Sequence, residues 1–152
     1  MKHGKLRFEY AKIDNNIFIG TNMCCQTHFD KELLQKGITA DISLEEKRLD
    51  QPFGVDYYLW LPTVDHQASS IKQMRTGVAF LETMRKLGAR TYVHCQRGHG
   101  RAPSLIAAYF VSLGMNAQEA FSLIKKNRPT IHPNKHQIAL VKKFETLQRD
   151  GK

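Results

Sequence analysis

No stretch of the chain approaches the roughly 20 consecutive apolar residues that span a bilayer, so no transmembrane segment is expected. The basic start Met1-Lys2-His3-Gly4-Lys5-Leu6 has no apolar run behind it and does not read as a secretory leader. Cysteine is scarce. Cys24, Cys25 and Cys95 are an odd number with two neighbours, which does not suggest a disulfide framework. A reducing, cytoplasmic setting is therefore expected, and it suits a reactive thiol. Cys24-Cys25, with His28 close by, offers too few ligands for a zinc site; the pair reads as small buried hydrophobes. Repeats, low-complexity tracts and linkers are also lacking, so the 152 residues read as one domain, 1–152.

What is present is the balance of a soluble domain, 41% hydrophobic and 24% charged, in a chain long enough to bury a real core. The formal net charge of +9 attracts anions of any kind: nucleic acid, acidic membrane surfaces or phosphorylated substrates. The basic residues are spread from Lys2 to Lys152 with no dense arm, so nucleic acid is not expected as a partner. Peripheral contact with an acidic membrane stays open, and a monomer is expected.

Arg7 to Ile13 and Asn16 to Gly20 read as strands around the turn-forming Asp14-Asn15. Phe29 to Lys36 reads as a helix stopped by Gly37, and Ile38 to Ile42 as a short strand. Tyr57 to Leu61 is a continuous apolar run, expected to be a strand buried on both faces and ended by Pro62. A polar loop, Thr63 to Ser69, leads to a helix whose Ile71, Met74, Val78, Leu81, Met84 and Leu87 share a face, with Gly88 as its cap. Thr91 to His94 is a strand running into Cys95, and Arg101 to Leu113 a buried helix. Asn116 with Glu119, and Asn134 with Gln137, look like capping boxes for two further helices; the last turns Ile138, Val141, Phe144 and Leu147 inward. The pattern predicts an α/β domain, a short central mixed sheet flanked by helices. Ligands of such sheets bind beyond the carboxyl ends of strands, where His94 meets Cys95.

The segment His94-Cys95-Gln96-Arg97-Gly98-His99-Gly100-Arg101 stands between that strand and that helix. A loop of this length can curl until its N–H groups converge on an anion. Gly98 and Gly100 would permit positive φ and close approach. The helix starting near Arg101 adds the positive end of its dipole. In such a field a cysteine pKa falls to roughly 3.5–7.5, so Cys95 is expected to be a thiolate. Arg101 can offer a planar fork to two phosphate oxygens. Gln96, Arg97, Gly98, His99, Gly100 and Arg101 are the expected phosphate-binding residues. The bland alternatives are a buried cysteine beside a surface arginine, or a phosphate loop without chemistry.

His94-Cys95-x5-Arg101 resembles the signature of protein tyrosine and dual-specificity phosphatases. Asn16-Ile17-Phe18-Ile19-Gly20 is similar to the family's early strand, and Arg128-Pro129-Thr130-Ile131-His132-Pro133-Asn134 to the segment before its final helix, so the likeness covers about 13–147. The compact atypical dual-specificity type is the nearest in length. Thr63-Val64-Asp65, Tyr92-Val93-His94-Cys95, Ala107-Ala108-Tyr109 and Ile131-His132 resemble the mitochondrial phosphatidylglycerophosphate phosphatase-like group, and Glu45-Glu46 matches its acidic motif in part. The resemblance implies hydrolysis of phosphate monoesters through a phosphocysteine, with no metal and no cofactor. It implies Cys95 as nucleophile and Asp65, in the loop thirty residues earlier, as general acid and then as base toward water. Asp56 is the rival, expected at the far end of its strand. His94 is implied as a support of the loop; His99 and Arg97 read equally well as solvated or as substrate-facing.

One residue departs from the pattern. Most relatives carry serine or threonine after the arginine; here Ala102-Pro103-Ser104 follows, which puts fast turnover in doubt. The leading expectation is a dual-specificity protein phosphatase acting on phosphotyrosine, and on phosphoserine or phosphothreonine. The alternatives are a phospholipid or phosphoinositide phosphatase and, in another class, a low-turnover phosphate-binding interaction module. The substrate is a phosphorylated protein or a phospholipid accordingly.

Overall fold

The computed structural model describes residues 5–151; residues 1–4 and Lys152 lie outside the described residues. Five strands and five helices follow one another as β1 (Tyr10–Lys12), β2 (Ile17–Gly20), a 3-10 turn (Asn22–Cys24), α1 (Lys31–Gln35), β3 (Ile38–Glu45), β4 (Tyr57–Thr63), α2 (Ile71–Leu87), β5 (Arg90–His94), α3 (Arg101–Ser112), α4 (Ala117–Asn127) and α5 (Lys135–Arg149). The sheet order is β1-β2-β5-β3-β4. Only β1 runs antiparallel to its neighbour; β2, β5, β3 and β4 are mutually parallel. The sheet is therefore mixed, as the pattern of elements predicts.

Alternation along the strands sorts side chains to two faces. Ile17, Ile19, Ile42 and Val93 enter a large core with Met74, Leu81, Ile106 and Val141 from the helices. Phe18 and Tyr92 point the other way, into a smaller core with Phe29, Leu33, Cys24 and Cys25. The helix ends follow capping chemistry. Ser70–Gln73, Asn116–Glu119 and Asn134–Gln137 all form capping boxes, and Gly88 closes α2 at φ 72°. Val141 and Phe144 are buried as predicted, whereas Ile138 and Leu147 are only partly covered.

Two expectations are corrected. Tyr57 to Leu61 is not buried on both faces: β4 is the edge strand, and Tyr57 and Trp60 are each 40% exposed. Pro62 does not end it, because an edge strand tolerates a residue without an N–H, and β4 runs on to Thr63. Cys24 and Cys25 are buried as predicted, but they are joined to each other as a disulfide. A disulfide between adjacent residues closes no chain loop, so spacing gave no sign of it.

The parallel strands end together at one rim. Gly20 pairs with His94, Ser43 with His94, and Glu45 with Thr63. Packing at this rim is close: a Cβ on Gly20 would overlap the Glu9 carbonyl and the Tyr92 hydroxyl. Overpacking of this kind costs about 1–3 kcal/mol. Gly20→Ala is expected to lower the melting temperature by about 5 °C, at roughly 2–4 °C per kcal/mol for a chain of this size. An unchanged thermal scan would mean that the rim relaxes.

Candidate active site

Cys95 follows directly on β5, and Arg101 opens α3, so residues 95–100 form a strand-to-helix turn. What orients this turn is the fate of its carbonyls. Cys95 O accepts from His94 Nδ1 at 3.3 Å, and Gln96 O from the Asn22 N–H at 3.0 Å. Arg97 O and Gly98 O accept from the Arg128 guanidinium at 2.8 and 3.3 Å. His99 O accepts from the His132 N–H at 2.8 Å, and Gly100 O from Ser104 Oγ at 2.8 Å. Every carbonyl of residues 95–100 thus has a protein donor, the arrangement that an inward-facing set of N–H groups would require.

The two glycines serve different needs, which corrects the shared role expected of them. Gly98 has φ 73°, and a Cβ there would stand 2.7 Å from Gly20 O. Gly100 has φ −135°, an ordinary negative value; a Cβ there would stand 2.6 Å from Gln137 Oε1, so the Gln137 side chain would have to shift.

Arg101 is 5% exposed. Its Nη1 donates to Thr63 O at 2.8 Å and to Leu44 O at 3.3 Å, the ends of β4 and β3. Its Nη2 lies 3.4 Å from Asp65 Oδ1, and Glu45 stands 3.8 Å from Nη1. Nε is buried and has no hydrogen-bond partner among the described residues. Cys95, Arg101 and Asp65 line one cavity of about 220 Å³, together with Gln96, Arg97, His99, Gly100, His132 and Gln137. Asp65 keeps 45% of its side chain exposed. Asp56 lies at the opposite end of β4, bonded through its N–H to Thr39 O.

The loop that carries Asp65 is tied from the side. His66 takes φ 63°, its carbonyl accepts from Asn134 Nδ2 at 2.7 Å, and Gln67 O accepts from Gln137 Nε2 at 3.2 Å. The cap of α5 therefore touches both the Asp65 loop and Gly100.

His94 is wholly buried behind Cys95. Its Nε2 faces Asp41 Oδ1 at 3.2 Å, Asp50 Oδ2 at 3.3 Å and Cys25 Sγ at 3.5 Å. With acceptors at both ring nitrogens, the ring is an imidazolium. Burial opposes that charge, but Asp41 and Asp50 outweigh it and raise the His94 pKa to about 10. Burial holds Asp41 above the usual carboxylate range. Burial also pushes Asp50 upward, yet His94 and Arg48 prevail and hold it below that range. Arg48 reaches Asp50 at 2.8 Å and the Asn22 carbonyl.

Cys24, Cys25, Asp41 and His94 form the one group with metal-ligand spacing found among the described residues. Here the two sulfurs are bonded to each other, and His94 Nε2 faces Asp41 and Asp50.

The sequence pointed to Cys95, Arg101, Asp65 and His94, and the structure brings all four together. It did not point to Arg128, Asn22, Asp41 or Asp50, each of which works through a contact distant in sequence. The Arg128 segment was visible only as a family likeness.

A family model described as the dual specificity phosphatase catalytic domain matches residues 17–147. Human dual specificity protein phosphatase 2 is 29% identical over 133 residues, which cover 86% of this chain and 41% of that protein. Human dual specificity protein phosphatase 5 is 31% identical over 80 residues, covering 51% of this chain and 21% of that protein. The chain thus spans well under half the length of these curated relatives. Among solved structures, PTPMT1 in complex with PI(5)P superposes with a TM-score of 0.80 at 24% identity, covering 94% of this chain and 99% of that one. Human DUSP28 superposes with a TM-score of 0.84 at 18% identity, covering 93% and 99%. At these identities the two structures speak for the fold.

The His94 cluster makes stability depend on pH. The unfolded histidine loses its proton near pH 6.5, whereas the folded one keeps it to about 10. Its contribution is complete below 6.5 and is lost as pH rises toward 10, where the folded state binds more protons than the unfolded. Denaturant unfolding at pH 7, 8.5 and 9.5 should show a steady loss of stability that His94→Gln abolishes. Tyr58, raised to about 12, stays protonated across this window. A wild type equally stable at the three values would contradict a charged His94.

Proposed function

From the premise that the chain belongs to the dual-specificity phosphatase family, we propose that it hydrolyses phosphate monoesters of phosphoproteins through a phosphocysteine on Cys95. The observation that carries this reading is the turn whose carbonyls all have protein donors, beside a buried Arg101 whose Nε has no hydrogen-bond partner among the described residues.

In the first step Cys95 Sγ attacks phosphorus and the ester P–O bond breaks. The inward N–H groups and Arg101 take up the charge on the phosphoryl oxygens, and Asp65 gives its proton to the departing oxygen. In the second step water attacks the phosphocysteine, Asp65 accepts a proton from it, and the S–P bond breaks to release inorganic phosphate and the thiolate. The positive charge of His94 lies behind that thiolate in both resting and product states. The chemistry calls on no metal and no cofactor.

A phospholipid headgroup is the second reading. The net charge of +9 favours it, as does the likeness to PTPMT1, solved with PI(5)P. A parallel assay on phosphopeptides, phosphoinositides and phosphatidylglycerophosphate separates the two.

Cys95→Ser should abolish turnover of an aryl phosphate while the thermal transition persists; appreciable turnover would remove Cys95 as nucleophile. Asp65→Asn should slow alkyl phosphates by at least about tenfold, within the roughly 10²–10⁴-fold reach of general-acid catalysis. The loss should shrink for p-nitrophenyl phosphate, whose leaving group departs without a proton. If Asp56→Asn shows this pattern instead, the acid has been assigned to the wrong loop.

Ala102 generates a separate expectation. It is fully buried in the first turn of α3, and Ser104 Oγ is occupied by Gly100 O, so neither residue supplies a hydroxyl to the departing thiolate. Hydrolysis of the phosphocysteine should then limit turnover. A hydrogen bond to a charged group is worth about 1.5–3 kcal/mol, so Ala102→Ser should raise the steady-state rate roughly tenfold and shrink the pre-steady-state burst. Rapid-quench measurement of phosphoenzyme decides; a parent without a burst and an unaccelerated variant would show that another step limits.

A further inference from the structure

A second cavity of about 470 Å³ adjoins the catalytic one, between α4 and α5. Both helices pack on α3 more extensively than on each other, which leaves the groove. Its floor is apolar: Ile131 is buried, and Phe121, Pro133 and Ile138 are partly exposed. This is why Ile138 is less covered than its inward spacing predicts. Its rim is basic, with Lys125 on α4 and Lys142 on α5, both exposed. No carboxylate is among the described residues that line it.

The groove is joined to the catalytic cavity through His132, which lines both. His132 is fixed there: its N–H holds His99 O of the phosphate turn, and the two imidazole rings lie 4.6 Å apart. A substrate whose phosphate sits in the turn must leave the catalytic cavity past some part of its wall, and His132 is the part of that wall that the groove shares. The volume falls within the range of about 300–1,000 Å³ typical of ligand pockets.

We propose that this groove is a substrate subsite for an acidic-apolar segment of a phosphoprotein, adjacent to the phosphorylated residue. The proposal rests on the phosphatase reading above. A large apolar side chain covers Phe121 and Ile138, and a neighbouring carboxylate meets Lys125 or Lys142. Charge complementarity favours this occupant over an acyl chain. Two ammonium groups flanking an apolar floor reward a ligand that is anionic and apolar within a few atoms, whereas a hydrocarbon chain gains nothing from them. Ion pairs at such a rim steer and select more than they add raw affinity, so the groove would choose among phosphoproteins.

The test uses phosphotyrosine peptides bearing a Glu-Leu-Glu segment on the N-terminal or the C-terminal side, twins with alanine there, twins with Lys-Leu-Lys, p-nitrophenyl phosphate, and phosphoinositide in anionic vesicles. On one side, the acidic peptide should exceed its alanine twin at least tenfold in kcat/KM, mainly through KM. Lys125→Glu/Lys142→Glu should erase that advantage and transfer it to the Lys-Leu-Lys peptide, with p-nitrophenyl phosphate turnover within twofold of wild type. Phe121→Ser should reduce the preference without reversing it. Three outcomes overturn the proposal: equal rates on the acidic and alanine peptides, charge reversal that slows every substrate alike, or charge reversal that affects only phosphoinositide in anionic vesicles. The last would make the groove a lipid-surface contact. Failure of the wild type on p-nitrophenyl phosphate would instead sink the phosphatase reading itself.

Discussion

A trans peptide group holds its carbonyl and its N–H on opposite sides, so a turn that points one set inward must find outside partners for the other. Residues 95–100 depend on this constraint. Their carbonyls are taken by the neighbouring His94 and Ser104, and by Asn22, Arg128 and His132 from distant parts of the chain. None of these groups needs to touch a phosphate. Together they prepay the orientation that an anion would otherwise have to impose, which is the sense in which such a site is preorganised. The fold can be understood as what delivers those donors: the parallel strands end at one level, the turn after β2 supplies Asn22, and the end of α4 supplies Arg128.

Burying a charged histidine next to the turn carries a cost that the chain offsets locally. Asp41 comes from the middle of β3 and Asp50 from the loop beyond it, and Arg48 completes the balance of two negative and two positive groups. Such a cluster is held together by low dielectric as much as by contact, since each member would be expensive to bury alone. The carboxylates that raise the pKa of His94 also fix its place behind Cys95.

Much of this was legible in the sequence, because much of it is local. Capping boxes, the αL cap at Gly88, the strand-turn-helix around Cys95 and the alternation of strands and helices are all written within a few neighbouring residues. The misreadings are equally physical. Tyr57 to Leu61 has the apolar run of a central strand, but periodicity does not reveal which strand lies at the edge. Gly100 looks like a conformational glycine and is a steric one, a distinction that depends on Gln137, far along the chain. Asp41 and Asp50 carry no motif, since acidic residues in a chain usually stand in solvent; only the fold makes them partners of His94.

The cap of the last helix is used twice. In Asn134 the side-chain oxygen caps α5, and the side-chain nitrogen holds the His66 carbonyl. Helix caps are ordinarily interchangeable: serine, aspartate and asparagine serve about equally well. Here that exchangeability is broken, because aspartate and serine would preserve the helix yet aspartate brings no donor and serine a shorter one. Neutral drift at this position is thus narrower than helix energetics alone would allow, and an element at the far end of the chain becomes part of the hinge on which the Asp65 loop is hung.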